Sequence, residues 1–187
     1  MTTPASVDWT TLPAPEDDGA AAHLPGLRLP SVPLPATDGS MVDLAALSGT
    51  VVVYTYPMTG RPDTPLPEGW DTIPGARGCT PQSCAFRDHF AALRALGVDR
   101  LFGLSAQTPS YQAEAAERLH LPFPLLSDAG FALTGALKLP TFEAGGMRLL
   151  KRLTMVLAGG RISKVFYPVF PPDQNAGLVV DWLRVTA

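Results

Sequence analysis

The chain holds two cysteines, Cys79 and Cys84, both inside the stretch GCTPQSCAFRDHF. Paired sulfurs can ligate a metal, form a fixed crosslink, or do redox chemistry on each other. A structural zinc site needs four ligands, usually in close pairs. Beyond the thiols this chain offers only His23, His89 and His120, with no shared spacing, so neither a metal nor another cofactor is expected. A fixed crosslink conflicts with the local pattern. Thr80-Pro81 reads as a helix start, with Thr80 as the cap and proline in the first turn, where a missing N–H costs nothing. Phe86, Phe90 and Leu93 then recur at helical spacing, so that a helix is predicted from Cys79 to about Leu96. Residues five apart in one helix have Cα atoms about 8.7 Å from each other. A disulfide needs roughly 4.4–6.8 Å. Bond and intact helix exclude each other, and so small a loop would stabilise the fold little.

Read as a redox switch, the same spacing makes sense. Reduced, Cys79 sits at a helix start, where free N–H groups and the positive end of the dipole favour a thiolate. Oxidised, the first turn or more must unwind before Cys84 can reach Cys79. The plain alternative for each cysteine is a small buried hydrophobe. Cys84 lies nearly opposite the aromatic stripe, which disfavours that role. Cys79, between Gly78 and Thr80-Pro81, offers no better case for it.

The elements that must position this pair follow from pattern. Residues 1–24 read as a loosely held tail, with Trp9 able to dock, ahead of a single domain over 25–187. LRLPSVPLPATDGSMVDL gives a peripheral hairpin around Asp38-Gly39, since prolines would break a central ladder. TVVVYTYP and LFGLSA are buried strands, and FPLLSD is a third, shorter one. Thr108-Pro109 opens a helix to about Leu119, and a short helix spans Phe131 to Leu137. LLKRLTMVLAGGRISKVFYPV is a hairpin turning at Gly159-Gly160. Asp173 is the predicted cap of a last helix burying Leu178, Val179, Trp182 and Leu183. The order gives an α/β, thioredoxin-like fold: a central mixed sheet, flanking helices and an N-terminal β-hairpin.

Composition narrows the partners. The formal charge is −3, with no run of Lys or Arg, so no nucleic acid is expected. The opening MTTPASVDWTTLPAPEDD lacks a basic segment followed by an apolar run, and no stretch approaches membrane-span length. A cytoplasmic protein is the expectation, and there disulfides are rare unless catalytic or sensing.

Four stretches in order, LPATDGSMVDLAALSGTVVVYTYP, GCTPQSCAFRD, LPFPLLSD and RLTMVLAGGRISKV, resemble the Q-type (bacterioferritin-comigratory-type) peroxiredoxins over roughly residues 26–185. The resemblance implies a thiol peroxidase acting on hydrogen peroxide and alkyl hydroperoxides. Cys79 would be the peroxidatic cysteine, Cys84 the resolving one, and their intramolecular disulfide would be reduced by a thioredoxin-like dithiol partner. Arg152 matches the family arginine that stabilises the thiolate and the peroxide. A monomer or weak homodimer is expected.

One departure stands out. The family joins Tyr-Pro to the cysteine by a short loop with threonine three residues before it. Here MTGRPDTPLPEGWDTIPGARG (58–78) follows Tyr56-Pro57, and the threonine position holds Ala76. Thr59 is a candidate substitute for that hydroxyl, and Trp70 and Gly78 are candidates for a substrate loop. Two other readings stay open. A protein thiol–disulfide oxidoreductase is disfavoured by the missing Cys-x-x-Cys. A redox-sensing binding protein would oxidise without turning over.

Overall fold

The computed structural model describes residues 7–186. In chain order, β1 (Pro33–Pro35) and β2 (Met41–Asp43) pair antiparallel across the Asp38-Gly39 turn, outside the main sheet. β3 (Thr50–Thr55) is buried from Val51 onward. Then come α1 (Cys79–Asp88), α2 (Phe90–Ala95), β4 (Val98–Ser105), α3 (Pro109–Arg118), β5 (Leu125–Ser127) and α4 (Ala132–Leu137). Two hairpins, β6 (Thr141–Ala144) with β7 (Met147–Leu150) and β8 (Leu153–Ala158) with β9 (Arg161–Phe166), lead to α5 (Asn175–Thr186).

The central sheet runs β5-β4-β3-β8-β9. β3, β4 and β5 are parallel, while β8 and β9 add an antiparallel side. Alternation along β3 splits the core in two. Val51 and Val53 join Phe102, Leu104 and Met155 on the face covered by the N-terminal hairpin and α4. Val52, Tyr54 and, just past the strand, Tyr56 meet Phe86, Leu93, Val179 and Leu183 on the other. Phe86 stacks on Tyr54 with ring centroids 4.4 Å apart. Burying a side chain of that size contributes about 1.5–3 kcal/mol, which clamps α1 onto the middle of the sheet.

Several details differ from the sequence reading. The predicted helix 79–96 is two helices, broken at His89 (φ −92°, ψ 1°). The His89 Nδ1 lies 2.8 Å from the Ala85 carbonyl, so the side chain competes for a helical acceptor at the break. The N-cap of α1 is Gly78, not Thr80. Asp173 does not cap α5; it lies in a short 3₁₀ turn and accepts the Trp9 indole N–H at 2.8 Å. Leu178 is half exposed, because the buried face of α5 runs through Asn175, Ala176, Val179, Val180 and Leu183. The β6–β7 hairpin has no signature in the sequence: its strands are four residues long and show no clean alternation.

From Val7 on, the segment expected as a tail makes contacts with the body, residues 1–6 lying outside the described part. Leu24 and Ala21 are buried in the main core. Asp18 bonds both Lys151 Nζ (2.6 Å) and the Tyr167 hydroxyl (2.7 Å). Lys151, then Tyr167, hold this carboxyl well below the usual carboxylate range. A depressed carboxyl contributes stability above its unfolded pKa and loses it as pH falls through the folded one. The segment should therefore resist pepsin just below pH 4 and become cleavable only as the pH is lowered further. Asp18→Asn should be cleaved at the higher pH too; identical cleavage profiles would contradict this anchoring.

Candidate active site

Cys79 begins α1 directly after Gly78, whose φ of +112° turns the chain into the helix. A side chain at 78 has no room: an added Cβ would lie 2.2 Å from Pro172 Cγ and 2.9 Å from Trp9 Cη2. Cys79 is buried, and its thiol points toward the Ala76 carbonyl at 3.8 Å. The first N–H groups of a helix have no internal partner; Pro81 removes one, and the Gln82 N–H bonds the Gly78 carbonyl at 3.0 Å, which leaves those of Cys79 and Thr80 without a partner inside α1.

Arg152 supplies the charge. It lies one residue ahead of β8 rather than within it, and it is buried at 3% exposure. Its Nη2 is 3.4 Å from Cys79 Sγ and 3.3 Å from each of the Gly75, Ala76 and Arg77 carbonyl oxygens. Its Nη1 donates to Gln82 Oε1. Three main-chain carbonyls and one amide thus fix a guanidinium against the sulfur. Gln82, Tyr54 and Asn175 escape the sequence reading. The readable signal was that Gln82 and Ser83 share the helix face of Cys79 and Phe86, where polar residues are out of place.

A cavity of about 370 Å³ opens at Cys79. Met58, Leu66, Trp70, Arg77 and Gly78 line it with Thr80, so the 58–78 segment forms much of the wall. That segment is fastened on both sides. Arg118 donates to the Gly60 carbonyl at 2.9 Å, Arg61 lies 4.0 Å over the Tyr111 ring, and Trp70 and Ala76 pack with Leu149. Of the wall arginines, Arg77 is paired with Asp71 at 2.7 Å, while Arg61 lies 3.5 Å from Glu114, a carboxylate that Arg118 engages more closely at 2.6 Å. Thr59 does not line the cavity. It is buried, and its hydroxyl donates to Gln107 Oε1 at 3.2 Å, so it does not stand in for the hydroxyl absent at Ala76.

Cys84 lies in the same helix, half-buried, on the far side from the aromatic stripe. Burial pushes its thiol pKa up, opposed by Arg87 and reinforced by Asp88. Both sulfurs are helical, so no disulfide is compatible with this conformation. Among the described residues no group of three or more His, Cys, Asp or Glu is placed to hold a metal ion. No helix among them is long and apolar enough to cross a membrane.

The redoxin family profile matches residues 24–179. The chain is 32% identical over 152 residues to the chloroplastic peroxiredoxin Q of Populus jackii, covering 80% of this chain and 63% of that one. It is 30% identical over 157 residues to the Gentiana triflora counterpart, covering 83% and 64%. The matches thus span less than two thirds of these relatives. Among solved structures, the peroxidoxin BcpB of Mycobacterium tuberculosis superposes with a TM-score of 0.71 at 25% identity, covering 88% of this chain and 99% of that one. The bacterioferritin comigratory protein of Xanthomonas campestris gives 0.67 at 21%, covering 86% and 97%, and shares the fold.

Two measurements check this geometry. Gly78→Ala should lower thermal stability by about 1–3 kcal/mol, through strained φ and the Pro172 clash; an unchanged melting curve would contradict the close approach. In the reduced protein, alkylation of Cys84 should rise only above the pH range of a free thiol, and denaturant should restore the free-thiol profile. A native profile already in the free range would show the thiol to be solvated.

Proposed function

Because the chain belongs to the redoxin family, among the Q-type peroxiredoxins, we propose that it is a thiol-dependent peroxidase using Cys79 and Cys84. The observation that carries this reading is the buried Arg152 guanidinium held 3.4 Å from the Sγ of Cys79, a residue that itself lines an open cavity. A fixed positive charge favours the thiolate over the thiol and then the developing charge on the peroxide oxygens.

The Cys79 thiolate attacks the terminal oxygen of a hydroperoxide. An S–O bond forms, the O–O bond breaks, and the other oxygen leaves as water or an alcohol after taking a proton. The product is a sulfenic acid on Cys79. α1 then unwinds over 79–84, and the Cys84 sulfur displaces the hydroxyl: an S–S bond forms, the S–O bond breaks, and water leaves. Burial keeps Cys84 protonated while the helix is intact, so exposure and activation of the second thiol coincide. A thioredoxin-like dithiol reduces the disulfide by exchange. Hydrogen peroxide and alkyl hydroperoxides are the substrates, in a monomer or weak homodimer of the cytoplasm. The 58–78 wall forms the substrate loop, with Trp70 and Gly78 in it.

Intact mass after one equivalent of hydrogen peroxide tests the reading. Loss of two hydrogens and of both free thiols within seconds is expected, with turnover once a dithiol reductant is supplied; oxidation without turnover would favour a sensor. Cys79→Ser should abolish peroxide reduction. Cys84→Ser should stop at a dimedone-trappable sulfenic acid. Arg152→Ala should slow thiol oxidation by about 10²–10³-fold, the range for losing a donor to developing charge; full turnover in Cys79→Ser would sink the assignment.

A further inference from the structure

Gln82 and Ser83, between the two cysteines, are polar yet fully buried. Gln82 uses both ends of its amide. Its Oε1 accepts from Arg152 Nη1, and its Nε2 donates to Asn175 Oδ1 at 3.0 Å. Asn175 opens α5, is fully buried, and also accepts from Thr154 Oγ1 at 2.7 Å. Its Nδ2 is buried with no partner, so the side chain is held through its oxygen. Thr154 lies in β8 two residues beyond Arg152, opposite Tyr54 in the register. Tyr54 in turn donates its hydroxyl to Ser83 Oγ at 2.9 Å.

On the peroxidase reading given above, we propose that Asn175 is a positioning residue: through Gln82 it orients Arg152 on the Cys79 sulfur, and its release from Gln82 is part of disulfide closure. Geometry imposes the link. Cys84 cannot reach Cys79 while residues 79–84 are helical, and Gln82 lies inside that segment. Unwinding therefore withdraws Gln82 from Asn175 and Arg152 together, and Ser83 from Tyr54. One buried contact assists thiol oxidation and opposes the closure that follows.

The other ionisable groups around Cys79 leave Arg152 as the charge in play. The Tyr54 and Tyr56 phenols on β3 are pushed up by burial and stay neutral. At the cavity wall Arg77 is paired with Asp71, and Arg61 shares Glu114 with Arg118; none of these groups is within hydrogen-bond distance of the Cys79 sulfur, as Arg152 is. Moving the Arg152 guanidinium should therefore move the pH profile of Cys79 alkylation, which a loss of packing alone would not do.

The test uses the full chain as wild type, Asn175→Ala and the near-isosteric Thr154→Val. For each, three quantities are read: the pH profile of Cys79 alkylation, the rate of Cys79 oxidation by hydrogen peroxide, and the rate of the disulfide step. Asn175→Ala should oxidise about tenfold more slowly, as for one buried hydrogen bond lost. Its alkylation profile should shift to higher pH, and its disulfide should close faster once the sulfenic acid has formed. Thr154→Val should show the same signs with smaller size. A lowered melting temperature with all three quantities unmoved would overturn the proposal, as would both rates changing in the same direction. If Asn175→Ala does not fold, unmoved values in Thr154→Val overturn it. If wild type forms no disulfide with peroxide, the peroxidase reading fails, and the alkylation profiles still decide the Asn175–Arg152 link.

Discussion

A guanidinium taken out of water must find acceptors, and Arg152 is almost wholly buried. Much of the architecture around Cys79 meets that requirement at the guanidinium's two terminal nitrogens, while the buried Nε has no partner. The chain from Gly75 to Arg77 presents three successive carbonyls to one nitrogen, and Gln82 presents its amide oxygen to another. Those carbonyls converge only because the chain turns sharply at Gly75 and Gly78, both with positive φ. Gly78 then packs against Pro172 and Trp9. The charge, the turn and the helix start are one arrangement, with the sulfur held at its centre.

The second constraint is the incompatibility of α1 with a Cys79–Cys84 bond. On the proposed chemistry α1 has to open, and a helix that opens cannot be secured only by apolar burial along its whole length. The break at His89 separates the ten-residue α1 from α2, whose Leu93 is buried in the core, so an opening of α1 would leave α2 in place. Phe86, stacked on Tyr54 beyond the second cysteine, anchors the part that need not move. Between the cysteines the attachments are hydrogen bonds of Gln82 and Ser83 instead. Each such bond has a modest net value when made but leaves a costly orphan when broken. That combination gives a well-defined closed state which can still open.

The 58–78 segment fits the same economy. Its prolines limit the conformations it can explore, and Arg118, Arg61 and Trp70 tie it to α3 and to the β6–β7 hairpin. The result is a rigid, largely apolar wall beside the sulfur rather than a loop at large in solvent. Main-chain oxygens, not a side-chain hydroxyl, crowd the site where Ala76 stands.

Much of this was readable from residue type and spacing. Two thiols five apart around a Thr-Pro signature, strands of Val and Tyr, and the order of elements led to the fold and to the Cys79–Cys84 pair, because local pattern and covalent spacing are properties of the chain itself. Arg152 came only from the resemblance to the Q-type peroxiredoxins. The sequence offered Thr59 as a substitute hydroxyl and left Asn175 unremarked, whereas in the tertiary structure Thr59 bonds Gln107 and Asn175 bonds Gln82. Whether a hydroxyl reaches a sulfur depends on where a 21-residue excursion folds back, and Thr59 is taken by Gln107, 48 positions away. Asn175 meets Gln82 across 93 positions because α5 packs beside α1. Hydrogen bonds between distant segments are fixed by how the layers dock, and no local periodicity records that.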